Sequence, residues 1–301
     1  MTSSSESNVR NNSNPDIESS SPTTVSVPPA KPAPVSSSYE LPPTEGPRKI
    51  VVQLRLSDPF HWLRLGWCDL FAAKSVGVFY GICFWAMAWL LGAVFRSKPE
   101  FAMSIASGCL LLGPFLAMGL YEVSRRREQG RAPDLVASLT CWNPHLRSMG
   151  LLLLVLIVLE LLWGRASLVV FAVFFNTGMP STTGVIQAIF NFENWEFLAV
   201  YGVVGGMFAG LVFAVSVVSI PMILDRDTDA ISAAITSLEV VFNNMAVMLL
   251  WGLLITGLVI LAFIPRGVGL VFIGPWLGHA SWHAYRGSVR WIDGDEVAGT
   301  V

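Results

Sequence analysis

Gly274-Pro275-Trp276-Leu277 closes an apolar run and leads into polar residues, and the phrase has a near copy at Gly113-Pro114-Phe115-Leu116. A weaker copy stands at Ile220-Pro221-Met222-Ile223. Each copy ends a stretch long enough to cross a bilayer. A phrase repeated at the same end of successive apolar stretches predicts a membrane protein built from three helical-hairpin units.

Composition points the same way. Of 301 residues, 53% are hydrophobic and only 13% are charged, which is far from the soluble norm. The net charge of −2 gives no electrostatic footprint for nucleic acid. The four cysteines form no CxxC pair: Cys83 and Cys109 fall within apolar runs, Cys68 and Cys141 beside them, so no disulfide framework is expected. Residues 1–47 are rich in Ser, Pro, Thr and Asn and carry no apolar run. Such a segment cannot bury enough surface to offset its ordering entropy and reads as a disordered cytoplasmic tail, without the apolar core of a signal peptide.

Crossing about 30 Å of hydrocarbon takes about 20 apolar residues. Six segments qualify: Ser75–Phe95, Phe101–Tyr121, Met149–Phe175, Phe197–Leu224, Met245–Ile264 and Gly267–Tyr285. The expected layout is a membrane domain over 48–290 followed by a short tail over 291–301. With both termini inside, the inner flanks hold Arg55, Arg64, Lys74, Arg125, Arg126, Arg127, Arg131, Arg147, Arg226, Arg286 and Arg290. The outer loops hold only Arg96, Lys98 and Arg266. Positive charge concentrates on the cytoplasmic side, so both termini are read as cytoplasmic.

An amphipathic segment precedes each odd-numbered span. Asp58-Pro59 pairs a capping residue with proline at the first helical position, and Phe60, Leu63, Trp67, Leu70 and Phe71 recur at helical spacing. Pro133-Asp134 introduces Leu135, Leu139, Trp142 and Leu146, and Thr228-Asp229 introduces Ile231, Ile235, Leu238 and Phe242. Each predicts a helix lying along the inner interface, broken near Asn143 and Asn243 in the second and third. The fold class is therefore all-α integral membrane: six transmembrane helices as three repeats, each an interfacial helix plus a hairpin.

These phrases resemble a known family. Asp58-Pro59-Phe60-His61-Trp62-Leu63 with Leu65-Gly66-Trp67-Cys68-Asp69-Leu70, then Gly113-Pro114-Phe115-Leu116 with Gly119-Leu120-Tyr121-Glu122 and Ser124-Arg125-Arg126-Arg127, are similar to motifs of the bacterial integral-membrane family catalogued as domain of unknown function 2189. Pro221-Met222-Ile223-Leu224-Asp225-Arg226 and Gly278 to Arg286 resemble its remaining two. The resemblance, over roughly residues 50–290, implies a multi-span protein of the bacterial inner membrane. It supplies no activity, cofactor or catalytic residue.

Polar residues in or beside the spans are the places to look for function. Glu160 and Arg165 lie in the third span, where a charge is costly and turns toward the protein interior or a water-filled cavity. Five residues apart, they differ by about 140° around a helix, an awkward geometry for a direct pair. They are read either as a polar point on a solute path or as a buried anchor between helices. His279 and His283 share one face of the sixth span, a spacing that suits one metal ion. Four residues after the three prolines come Met118, Asp225 and His279; eight after come Glu122, Asp229 and His283. Packing of the repeats about a pseudo-threefold axis would bring Glu122, Asp229, His279 and His283 together at the inner mouth as a metal or proton-relay site. The alternative is that the histidines are interfacial, beside Trp282 and Tyr285 in an aromatic belt.

Gly202, Gly206, Gly210 and Ala214 place a small residue at every fourth position of the fourth span. That pattern predicts a flat face for close helix packing at the centre of the bundle. Arg125-Arg126-Arg127 reads as a topology determinant and headgroup contact. Asp225, Asp227 and Asp229 alternate as in a calcium loop but lack its glycine and terminal glutamate. No nucleophile elbow, HExxH, Walker or dinucleotide fingerprint is present. Three classes remain open: a non-catalytic scaffold or assembly protein acting through its tail and interfacial helices, a small-solute or ion transporter, and a metal or redox membrane protein using His279 and His283.

Overall fold

The computed structural model describes residues 48–97, 102–174 and 195–292. The expected tail over 1–47, the first turn between spans, the loop over 175–194 and residues 293–301 lie outside the described residues. Strand β1 (Arg48–Val51) leads into α1 (Asp58–Ala72), α2 (Lys74–Ser97) and α3 (Ala102–Glu128). Then come α4 (Leu135–Thr140), a single 3-10 turn at Asn143–His145, and α5 (Leu146–Phe174). The last third holds α6 (Trp195–Ser216), α7 (Ser219–Arg226), α8 (Ala230–Asn243), α9 (Met245–Phe263), α10 (Leu270–Ser288) and β2 (Val289–Ile292).

The helix boundaries follow from the chemistry of their ends. Asp134 caps α4 by accepting from the backbone N–H of Val136 at 2.9 Å, and Asp229 caps α8 by accepting from that of Ser232 at 2.9 Å, as short carboxylates do at helix starts. The turn between α9 and α10 needs left-handed backbone at two successive residues, Arg266 and Gly267. Gly269 lies so close beneath Ala262 that a Cβ there would sit 2.7 Å from its Cα. Pro221 stands two residues after the break between α6 and α7, which interrupts the fourth apolar stretch.

Among the described residues six helices reach 19 residues or more. Four apolar stretches are long and apolar enough to cross a membrane: Lys74–Ser97, Leu135–Phe174, Trp195–Arg226 and Met245–Phe263. The second of these includes α4 with α5, and the third joins α6 to α7. Helices α3 and α10, the other two expected spans, have the length, α3 with no charged residue from Ala102 to Tyr121 and α10 with a more polar C-terminal half. Their inner halves carry Glu122 and Arg125 to Arg127, and His279, His283 and Arg286.

The helix at the centre is α10. Helices α1 and α2 run antiparallel along it, with Trp62 beside Gly287, Gly66 against Ala280, and Gly81 against Val271. The last contact has a specific cause. Pro275 cannot donate the backbone hydrogen bond that would occupy the Val271 carbonyl four residues earlier. Gly81 packs over that freed oxygen so closely that a Cβ would lie 2.0 Å from it. The indole of Trp276 donates to the Leu63 carbonyl at 2.7 Å, fixing α1 on α10. Below this seam Trp62 meets Trp251 of α9 edge to face, 5.6 Å between ring centres, within a core that also buries Met118, Tyr121, Trp282 and Tyr285.

This corrects the expected role of the fourth span. Gly202, Gly206 and Gly210 face open space, with nothing within 4 Å of where their Cβ atoms would be. The glycine of α6 that does accept a neighbour is Gly205, 3.1 Å from the Trp163 ring of α5. Spacing identified a small-residue stripe but could not say that the bulky partner faced the adjacent register. Gly206→Leu is accordingly expected to leave thermal stability within about 0.5 kcal/mol of wild type. Gly205→Leu should lower it measurably by forcing Trp163 aside. Melting curves in one detergent compare the two.

An unforeseen antiparallel ribbon joins the ends of the domain. Arg48 to Val51 pair with Ile292 to Val289 in register, and Leu54 N–H donates to the Asn244 side chain at 2.8 Å. Trp291 and Ile292, read from sequence as the start of a C-terminal tail, are strand residues. The direct pairing of β1 with β2 brings the two ends of the described domain together.

Candidate functional site

The buried face of α1 repeats as Trp62, Gly66, Asp69 and Leu70, the spacing of a helix stripe turned to a core. One member is a carboxylate. Asp69 is 6% exposed and lies where α1, the C-terminal end of α3 and the C-terminal half of α10 meet. One of its oxygens, Oδ2, accepts from the Ser124 hydroxyl at 2.6 Å and from His283 Nε2–H at 2.9 Å. The other, Oδ1, accepts from Arg127 at 2.5 Å. Burial alone would raise the Asp69 pKa, but the hydrogen bonds from His283 and Ser124 outweigh it and hold the carboxyl below its ordinary range.

Proton count fixes the next link. Ser124 has one hydroxyl hydrogen and an ionised carboxylate can only accept, so that hydrogen goes to Asp69. The contact of 2.8 Å between Ser124 Oγ and His279 Nδ1 is then a donation from His279 Nδ1–H to serine. His279 is fully buried and its Nε2 has no hydrogen-bond partner. The imidazole is thereby assigned one tautomer by an aspartate acting through a serine.

A second layer reaches the surface. His283 Nδ1 lies 3.8 Å from Glu128, whose other oxygen is 3.2 Å from Arg286. Arg286 is also 3.8 Å from Asp225 at the end of α7. Asp225 accepts from the Tyr285 hydroxyl at 2.8 Å, and the Trp291 indole donates to that same hydroxyl at 3.2 Å. The guanidinium of Arg226 covers the Trp291 ring at 5.0 Å. Helices α1, α3, α7, α10 and strand β2 are therefore joined by one set of polar contacts.

The structure brings some of the sequence-derived residues together and separates others. His279 and His283 share one face and connect through Asp69 and Ser124. Glu122 is buried beside its own helix's Arg125, at 2.7 Å, and Arg126, at 3.6 Å. Asp229 caps α8, and hydrogen bonds from Ser232 hold its carboxyl below the usual value. Among the described residues no group of three or more His, Cys, Asp or Glu side chains is arranged to hold a metal ion. Asp69 and Ser124 are at the centre of the network, and sequence reasoning did not single them out; it named Asp225 by its offset from Pro221, Arg127 as a topology determinant and Tyr285 as part of an aromatic belt, but joined none of them to Asp69. For Asp69 a signal existed, since it stands three residues after Gly66 on an otherwise apolar stripe.

Glu160 is half-buried and lines a cavity of about 290 Å³ between α5 and α6 with Trp163, Gly205 and Phe208. Arg165 is exposed on another side of α5. No ion pair joins the two among the described residues.

With this geometry in place, comparison with known families is informative. A family model described as a predicted integral membrane protein, domain of unknown function 2189, matches residues 102–225. The match runs from α3 to the end of α7 and takes in the Gly113-Pro114 phrase, Arg125 to Arg127 and Pro221 to Asp225. The motifs at 58–70 and 278–286 fall outside it. The described residues are thus helical apart from the ribbon, and the chain is an integral membrane protein with apolar helices in contact with the lipid bilayer. No curated protein and no solved structure matches it.

Proposed function

We propose that the protein is a non-catalytic scaffold or assembly factor of the bacterial inner membrane, with six spans and both termini cytoplasmic. The observation that carries this reading is the use made of the inner polar groups. Asp69 is satisfied by Ser124, His283 and Arg127, and Glu122 is paired with Arg125. The Asp69 contacts clamp α1, α3 and α10 together, and the Glu122 charge is balanced within α3 itself. The repeat reading is supported by the order α1–α2–α3, α4–α5–α6 and α8–α9–α10, in which a shorter helix precedes each pair of long ones. The charge asymmetry supports the orientation, and the pairing of β1 with β2 agrees with it. In this reading a protein partner is met by the helices α1, α4 and α8 and by the cytoplasmic tail expected over 1–47.

One observation favours a transporter as the second reading. The cavity beside Glu160 is walled by α5 and α6, and Glu160 finds no cationic partner there among the described residues. Sealed proteoliposomes containing the purified protein and a pH-sensitive dye distinguish the two. The scaffold reading expects an imposed proton gradient to decay as it does in empty vesicles. Accelerated decay that is lost in Glu160→Gln would establish transport instead.

A further inference from the structure

We infer that the groove between α2, α3 and α4 binds one acyl chain of an anionic phospholipid from the surrounding membrane. The groove encloses about 330 Å³ and is lined by Tyr80, Leu112, Phe115, Leu116, Leu139 and Trp142, with Ser138 at its edge. That volume lies within the range of small-molecule sites. Its few polar groups are turned to partners inside the protein. The Tyr80 hydroxyl and Ser138 hydroxyl meet at 3.0 Å, Ser138 donates to the Leu135 carbonyl at 2.8 Å, and the Trp142 indole donates to the Leu139 carbonyl at 2.7 Å. What remains exposed in the groove is hydrocarbon and aromatic carbon, a surface that selects an alkyl chain over a polar solute.

Position and charge identify the occupant. Leu112 and Leu116 stand 9 to 13 residues before Arg125 on α3, so the groove extends about 14–20 Å from the basic end of that helix. This is the depth of one leaflet's chains. Trp142 closes the α4 side of the groove, its ring edge-on to Phe115 at 5.5 Å. Helix α4 is flanked by two exposed arginines, Arg131 and Arg147, and neither finds a carboxylate partner among the described residues. Arg126, by contrast, is 3.4 Å from Asp134. Two guanidiniums on either side in sequence of the helix that walls an apolar groove complement one phosphate headgroup.

The test is native mass spectrometry of the full-length protein in mild detergent, titrated with phosphatidylglycerol and, separately, phosphatidylcholine. The expected result is one tightly held phosphatidylglycerol per chain, bound at least fivefold better than phosphatidylcholine. Leu139→Trp fills the groove and should reduce retention fivefold or more, while Arg131→Gln with Arg147→Gln should remove the headgroup preference. If Leu139→Trp does not elute as the folded species, Leu112→Trp fills the same groove from α3 and is read the same way. Retention equal to wild type in a folded groove-filling variant, or equal binding of both lipids by wild type, overturns the inference.

Discussion

Gly81→Ala is expected to destabilise the membrane domain more than any other single added methyl group on α2. The new Cβ would lie 2.0 Å from the Val271 carbonyl oxygen and 2.7 Å from its carbonyl carbon. These are backbone atoms of α10, so no rotamer change can make room, and the helices must move apart. Overpacking costs about 1–3 kcal/mol where side chains can adjust; with two backbones opposed, the upper end or beyond is expected. Separation would also expose the Val271 oxygen, which Pro275 has left without its helical donor. Gly66→Ala tests the same seam one step further in, since its Cβ would come 2.6 Å from the Ala280 nitrogen. Gly206→Ala, in open space, is the matched control. Thermal unfolding in detergent, followed by tryptophan fluorescence, should rank Gly81→Ala and Gly66→Ala well below Gly206→Ala. Equal melting temperatures for the three would show that α1 and α2 do not pack on α10 as described.

The glycine pattern also shows where sequence reading reaches its limit. Apolar runs of membrane length, the caps at Asp134 and Asp229, and the prolines at 114, 221 and 275 are local signals, and helices α2, α3, α5, α9 and α10 appear close to where those signals put them. Asp58, read as a cap, is instead the first residue of α1, and its carboxylate accepts from the Arg55 N–H at 2.8 Å. Which helix is central is not a local property. A stripe of glycines every four residues advertises a flat face, yet in α6 that face is open and the contact falls on Gly205. The contacts of α10 depend on single glycines in α1 and α2 opposite a carbonyl that a proline freed. No periodicity announces that pairing. The same holds at the inner mouth. Equal offsets from the three prolines grouped Glu122, Asp229 and His283, but an offset measures position along a helix and leaves the azimuth open. Glu122 lies against arginines of its own helix, Asp229 serves as a cap, and the carboxylate that meets His283 comes from α1. The ribbon of β1 and β2 was equally out of reach, because each strand is four residues long and its partner is at the other end of the domain.

Asp69→Asn is the substitution that most directly tests the polar junction. Asparagine keeps the shape but replaces one accepting oxygen with a donor. If its NH₂ faces Arg127, two donors oppose each other. If it faces Ser124 and His283, both lose their acceptor and Ser124 no longer fixes the His279 tautomer. Breaking a buried ionic network by removing one partner costs about 3–5 kcal/mol. Arg127 is 41% exposed on its side chain and can return to water, so the lower part of that range is expected. The pH dependence supplies an independent readout. The folded Asp69 carboxyl sits below its ordinary value, so its contribution is complete above the unfolded pKa of about 3.9 and is lost as pH falls through the folded value. Wild type should therefore lose stability on acidification below about pH 5, where the unfolded carboxyl begins to take up protons. Asp69→Asn should be less stable at neutral pH and should lack that component of the acid loss. Parallel wild-type and variant profiles from neutral pH down to about pH 2, across the range in which the unfolded and then the folded carboxyl take up protons, would mean that Asp69 is not held as a carboxylate by Ser124, His283 and Arg127. A variant as stable as wild type at neutral pH would remove the clamp on which the scaffold reading rests.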